Sequence, residues 1–151
     1  MGAGRLYFGG GFIRLGGARR LGGVAAVTIR DGKTTSFAPY AYNLSSLLAA
    51  GPLVLIGGPE GGGVFDGATG KLVSRRAPLD RASAIAVRGT TAYIGGDFRT
   101  TIGGDNLLAI HLGTGKMRRW FPRLANEVSV GVLAPSGEKL FVGGSFCSSL
   151  G

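Results

Sequence analysis

The chain holds one histidine, His111, one cysteine, Cys147, and eight acids, and none of them falls into a reactive pattern. A nucleophilic triad or a metal centre needs partners for its histidine, and the sequence has no second one. Cys147, being alone, closes no internal disulfide. Glycoside hydrolysis needs two carboxylates on either side of one bond. Asp31, Glu60, Asp66, Asp80, Asp97, Asp105, Glu127 and Glu138 sit mostly beside glycine or in turns, and Asp97 and Asp105 flank one loop across which they could meet. Glycine-rich loops that hold phosphate fail on spacing. Gly113-Thr114-Gly115 runs on to Arg118 where a dinucleotide fingerprint needs glycine, and Gly32-Lys33-Thr34 has Val27 where a P-loop needs one. Gly144-Ser145-Phe146 lacks the spacing of a nucleophile elbow. The residues therefore assign no catalytic group, no cofactor and no metal ligand.

Charge is the remaining chemical signal. Seventeen basic residues against eight acids give a formal net charge of +9, a balance that suits a polyanionic partner. Arg14, Arg19 and Arg20 lie in one loop and Arg99 in a matching loop further on, so these four form a candidate polyanion-binding rim. Aromatic residues do not alternate with the charges as single-strand nucleic-acid binders require, and nucleic acid is not the expected partner.

The elements that would carry these residues repeat. Leu6-Tyr7-Phe8-Gly9-Gly10, Leu55-Ile56-Gly57-Gly58, Tyr93-Ile94-Gly95-Gly96 and Phe141-Val142-Gly143-Gly144 are one phrase, with glycine pairs starting at 9, 57, 95 and 143. Periods of about 40–50 residues mark propeller blades. The units run over 1–40, 41–79, 80–123 and 124–151 within a single domain, 1–151. In the third unit, Ala84–Val87, Thr91–Gly95, Asn106–Leu112 and Lys116–Phe121 are four short strands, the last stopped by Pro122. Its outer hairpin, Ile110–Lys116, matches those at Val27–Lys33 and Phe65–Lys71. The second unit is shorter and runs through Pro59-Glu60-Gly61-Gly62-Gly63 straight into its hairpin.

The expected fold is thus all-β, with β-propeller blades of four antiparallel strands and about three and a half blades present, fewer than the roughly four to eight of a closed ring. Bulky residues on both faces of the inner strands predict burial on both sides, with Phe12, Phe98 and Phe146 between blades. Either further blades or self-association would complete the ring. Arg75-Arg76 and Arg118-Arg119 fall on the outermost strand, where charge discourages edge-to-edge pairing. The longest apolar run, Leu47–Ile56, is broken by Gly51-Pro52 and is too short for a membrane span. The chain opens directly on a repeat strand, without a signal peptide.

The apolar strand, Gly-Gly-x-Phe, small-residue loop, Gly-Gly, apolar strand, Thr-Gly-Lys turn and closing Trp-x-Pro together resemble the delta-sixty repeat β-propellers of bacteria, a kelch-like group, over nearly the whole chain. The family's hairpin Asp is kept at Asp66 and replaced by Thr28 and His111; its closing phrase becomes Trp120-Phe121-Pro122, Phe37-Ala38-Pro39 and Arg76-Ala77-Pro78. The resemblance implies an extracellular or cell-surface protein whose repeats serve as scaffold or as binding surface for a protein or glycan, and it brings no catalytic residues. Two other functions compete with that expectation: a portion of a propeller enzyme acting on polysaccharide, and a binder of anionic polymers through the basic rim.

Overall fold

The computed structural model describes residues 4–19, 22–59, 62–74, 79–100, 104–120, 122, 124 and 128–146. Over these residues the protein is all-β. Its strands pair antiparallel throughout, and the one helical element is a three-residue 3-10 turn, Leu79–Arg81.

The strands form four main sheets in chain order. The first pairs β1 (Arg5–Gly9) with β4 (Val24–Thr28), and the loop between them carries a small hairpin, β2 (Arg14–Leu15) and β3 (Ala18–Arg19). The second is a four-stranded meander of β5 (Ser46–Ala50), β6 (Leu53–Gly57), β7 (Gly63–Asp66) and β8 (Leu72–Ser74). The third orders β9 (Ala82–Arg88), β10 (Thr91–Gly96) and β11 (Leu107–His111) side by side. The fourth is the hairpin of β12 (Ser129–Ser136) and β13 (Lys139–Ser145). All four glycine doublets begin at the C-terminal ends of equivalent strands, β1, β6, β10 and β13.

Register repeats with the sequence. Phe8 faces Ala25 as Ile94 faces Leu108, and Leu6 faces Val27 as Ala92 faces Ile110. The outer hairpins close through the same bonds: the amide N–H groups of Thr28, Asp66 and His111 donate to the carbonyls of Lys33, Lys71 and Lys116 at 2.9, 2.9 and 2.7 Å. Each turn places a glycine (Gly32, Gly70 or Gly115) at φ 67°, 73° or 65°, a left-handed conformation in which a side chain is disfavoured.

Four strands per sheet hold in the second sheet alone among the described residues. In the third, the expected strand Lys116–Phe121 shrinks to a bridge between Ile110 and Met117. Arg118 N–H still donates to Ala109 carbonyl at 2.8 Å, but Trp120 N–H turns back to the Arg118 carbonyl, also at 2.8 Å, and the chain leaves the ladder. The first sheet does the same with a bridge between Val27 and Thr34. Phe121 lies outside the described residues.

The core sits between the sheets and is divided accordingly. Val24, Ala26 and Phe37 of the first unit meet Val54, Ile56 and Phe65 of the second. Leu55 and Val64 of the second meet Ala82, Ala92, Ile94, Leu108 and Ile110 of the third. Leu107 of the third meets Val128, Val130, Leu133 and Val142 of the fourth. Side chains along a strand alternate, so Val54 and Ile56 point to the preceding sheet and Leu55 to the following one.

The doublet's first glycine seats the next unit. A Cβ on Gly57 would meet Ala82 Cβ at 2.9 Å, and one on Gly95 would meet Val130 Cβ at 2.9 Å. Hydrogen bonds cross the same seams. Ser46 Oγ donates to Ala82 carbonyl at 3.0 Å, Tyr7 hydroxyl to Gly67 carbonyl at 3.0 Å, and the Arg88 guanidinium pairs with Glu138.

The expectation that both faces of every inner strand are covered fails at the two outer sheets. Leu6 and Phe141 are each 58% exposed, because no described element lies against that side of the first or the fourth sheet. The three loop phenylalanines divide for the same reason. Phe98 is buried in the core between second and third sheets, Phe12 is half-buried against Phe8, and Phe146 is exposed.

Candidate functional site

Four exposed charged residues, Asp80, Arg81, Asp97 and Arg99, gather at one end of the strands, where the glycine doublets leave β6, β10 and β13 and where β5, β9 and β12 begin. The loop after β10 is built around Phe98. Its ring enters the core, its N–H donates to Asn106 Oδ1 at 2.9 Å, and its carbonyl accepts from Asn106 N–H at 3.0 Å. Asn106 makes this clamp from a left-handed conformation, φ 63°, which asparagine tolerates better than most residues. With Phe98 turned inward, its neighbours Asp97 and Arg99 are exposed on the outside of the loop.

On one side of that loop stands the 3-10 turn that leads into β9. Gly58 N–H donates to Leu79 carbonyl at 2.9 Å, and Leu79 is fully buried, so Asp80 and Arg81 are left facing solvent. Gly96 lies against the backbone of Arg81, an approach that a side chain would block. A cavity of about 470 Å³ results, lined by Asp80, Arg81, Asp97, Phe98 and Arg99. On the other side, Asp97 and Arg99 line a second cavity of about 300 Å³ with Asn106, Val128, Ser129 and Ser145. Asp97 and Arg99 thus form the ridge between two pockets. Among the described residues, none of Asp80, Arg81, Asp97 and Arg99 forms an ion pair. Two carboxylates and two guanidinium groups therefore remain free to bind, with no net charge.

A third pocket, about 330 Å³, occupies the matching place between the first and second sheets. Gly10, Phe12, Ile13, Tyr42, Asn43 and Leu44 contribute to it, and it is aromatic rather than charged.

The sequence-predicted residues fall in several places. Arg99 is at the ridge. Arg14 is exposed on β2, and the ladder sets Arg19 on β3 opposite it. Arg20 lies outside the described residues, as does Cys147. Asp105 lines neither pocket of Asp97; its Oδ1 instead accepts the Thr100 N–H at 2.7 Å and closes the loop. His111 starts the outer hairpin at the far end of β10, about 16 Å of extended chain from the ridge. Its Nδ1 is buried without a partner and does not bond the turn. Asp66, in the same slot, does: its Oδ1 accepts from Ala68 N–H at 3.1 Å, Thr69 N–H at 2.7 Å and Thr69 Oγ1 at 2.6 Å. These bonds, the Thr69 hydroxyl first, hold the Asp66 carboxyl below its ordinary range. Asp31 is lowered likewise, chiefly by the Thr28 hydroxyl and the Lys33 N–H.

Sequence reading passed over Arg81, Tyr42, Asn43 and Ser129 as site residues, because they belong to no repeated phrase. Position was the available signal: each lies just before or at the start of a unit's first strand, the end where the glycine doublets also emerge. Among the described residues no three His, Cys, Asp or Glu side chains cluster to hold a metal, and no helix is long and apolar enough to cross a membrane. In comparisons with known proteins, no family model and no curated sequence matches the chain.

Proposed function

We propose that the chain is a non-catalytic β-propeller repeat segment, of the delta-sixty kelch-like kind that its motifs resemble, and that it acts outside the cytoplasm as a scaffold whose loop rim binds a protein or glycan. On this reading the four sheets are successive blades, of which the second alone has all four strands among the described residues. One observation carries it: the same glycine seats the following unit at Gly57 and at Gly95, so the repeated phrase corresponds to a repeated seam. A rim follows from such stacking, since the first and third units open their long loops at the same end, where the glycine doublets emerge.

The ridge fits the binding role better than a polyanion role. Arg99 shares its cavity with Asp80 and Asp97, and carboxylates repel phosphate and sulfate. Unpaired donors and acceptors of both kinds suit a hydroxyl-rich glycan or a peptide carrying both charges. Screening neutral-glycan, sulfated-glycan and peptide arrays with the protein and with Asp97→Ala/Arg99→Ala tests this. Retention of a neutral glycan or mixed-charge peptide that the double variant loses about tenfold is expected. Retention on heparin alone, eluting steeply with salt, would transfer the function to the basic residues.

A second reading has one observation in its favour. Asp80 and Asp97 line the same cavity, and paired carboxylates are the machinery of glycoside hydrolysis. Release of reducing ends from a polysaccharide, abolished in Asp80→Asn and Asp97→Asn, would make the segment part of an enzyme.

A further inference from the structure

Two sheet faces of this molecule are built as seams and have no other described sheet against them; on the first, Phe12 of the sheet's own loop partly covers Phe8. The side of the first sheet turned away from the second carries Leu6, Phe8 and Val27. Tyr7, between Leu6 and Phe8, faces the other way: its ring lies 5.0 Å from Phe37 in the core shared with the second sheet. At the other end, Val142 and Leu133 turn inward to the third sheet. Phe141, Val132 and Ala134 therefore occupy the outer side of the fourth sheet, where Val132 is 61% and Phe141 58% exposed. None of these six residues carries a charge.

The two faces are of opposite kinds. Leu6 and Phe8 occupy the slots of Ala92 and Ile94, which pack on a preceding sheet. Phe141 occupies the slot of Leu55, which packs on a following one. The seat glycine continues the pattern. A Cβ on Gly143 would meet only its own sheet, at Val132 Cβ 3.4 Å away, whereas one on Gly95 would meet the next sheet's Val130. The outer side of the fourth sheet is thus an empty seat, and the first sheet presents the kind of surface that fills such seats. This is continuity with an interface the molecule already forms between its own sheets.

We infer that a second copy of this chain docks head to tail, its first sheet seated on the fourth sheet of the copy before it. The inference rests on the stacked-repeat reading above and names the partner that reading lacks. Such an interface is heterologous: each copy offers one face and uses the other, so assembly proceeds to a closed ring or an open array. Burial of the exposed aliphatic and aromatic side chains supplies the attraction.

Sedimentation velocity of the full 151-residue chain over a concentration series is the test. The 15.4 kDa protein is expected to sediment as oligomers at tens of micromolar. Leu6→Ser and Phe141→Ser each remove one face at an exposed position, and each alone is expected to weaken association about tenfold or more. Val132→Ser repeats the second block at an independent residue. The decisive sample mixes Leu6→Ser with Phe141→Ser. One intact face of each kind remains, so the mixture should form a dimer and stop there. A monomeric wild type overturns the inference, as does a mixture that stays monomeric. Association of Leu6→Ser alone through paired Phe141 faces would show a two-fold interface and overturns it too. The stacked reading is checked separately, by the far-UV circular dichroism of each variant and by the stability of Leu55→Ala. If Leu55→Ala is strongly destabilised while the wild type stays monomeric, the stacking stands and the head-to-tail partner alone is lost.

Discussion

The inner and outer sheets of this molecule carry the same phrase and live in different surroundings. In β6, Val54, Leu55 and Ile56 are all fully buried. In β13 the equivalent run is Leu140-Phe141-Val142, and Phe141 is 58% exposed; in β1 it is Leu6-Tyr7-Phe8, and Leu6 is 58% exposed. Composition does not explain this, since the outer strands hold the larger rings. The difference lies in neighbours. A strand between two sheets gains from both of its faces, and a strand at either end gains from one.

That comparison breaks first at the slot facing the following sheet. Leu55→Ala would leave a cavity in the core between second and third sheets, at a cost of about 2–5 kcal/mol. Phe141→Ala in the same slot removes a larger side chain, yet the measured loss should stay within about 1 kcal/mol. Urea unfolding of both variants at low protein concentration, where copies are apart, reads the difference. Equal losses would mean that the fourth sheet's outer side is covered after all.

A smaller effect comes from the seat glycines. A methyl on Gly95 would be forced into Val130 and Leu133, and Gly95→Ala should lose about 1–3 kcal/mol by overpacking. Gly143→Ala meets only Val132 at ordinary contact distance and should be neutral, or stabilising by about 0.4–1 kcal/mol through a stiffer unfolded chain. A Gly143→Ala variant as damaged as Gly95→Ala would contradict the open seat.

These pairs also show what was legible in the sequence. Glycine doublets and hairpin glycines mark backbone positions whose demands are local, so the strands of the third unit were readable to within about two residues: Ala84–Val87 became Ala82–Arg88 and Asn106–Leu112 became Leu107–His111. The outermost strands were overread because β-like composition at Lys116–Phe121 cannot reveal that Trp120 N–H bonds two residues back. Burial of Phe98 and exposure of Phe146 were indistinguishable, since both follow Gly-Gly-x and only the adjoining sheet separates them. The ridge was half legible. Arg99 and Asp97 stand in a repeated loop, whereas Asp80 and Arg81 reach the same cavity from the segment before β9, which the repeat does not mark.

The smallest expected effect separates two occupants of one hairpin slot, Asp66 and His111. Asp66 accepts three hydrogen bonds across its turn, and its carboxyl is held below the ordinary range by them. A carboxyl lowered in the folded state contributes stability that is complete above its unfolded value, about 3.9, and is lost as pH falls through the folded value. The midpoint difference between wild type and Asp66→Ala should therefore be constant above about pH 5 and shrink below about pH 4. His111 bonds no turn amide with its ring, and its Nδ1 is buried without a partner. His111→Asp would bring the turn chemistry of Asp66 to the third hairpin, where Thr114 stands as Thr69 does after Asp66. The variant should be more stable than wild type at pH 7, and that gain should fade over the same acid range, as thermal melts at pH 3, 5 and 7 would show. A gain that persists unchanged at pH 3 would point to relief of the buried Nδ1 rather than to the new carboxylate, and the two hairpins would then differ in more than the residue at their first position.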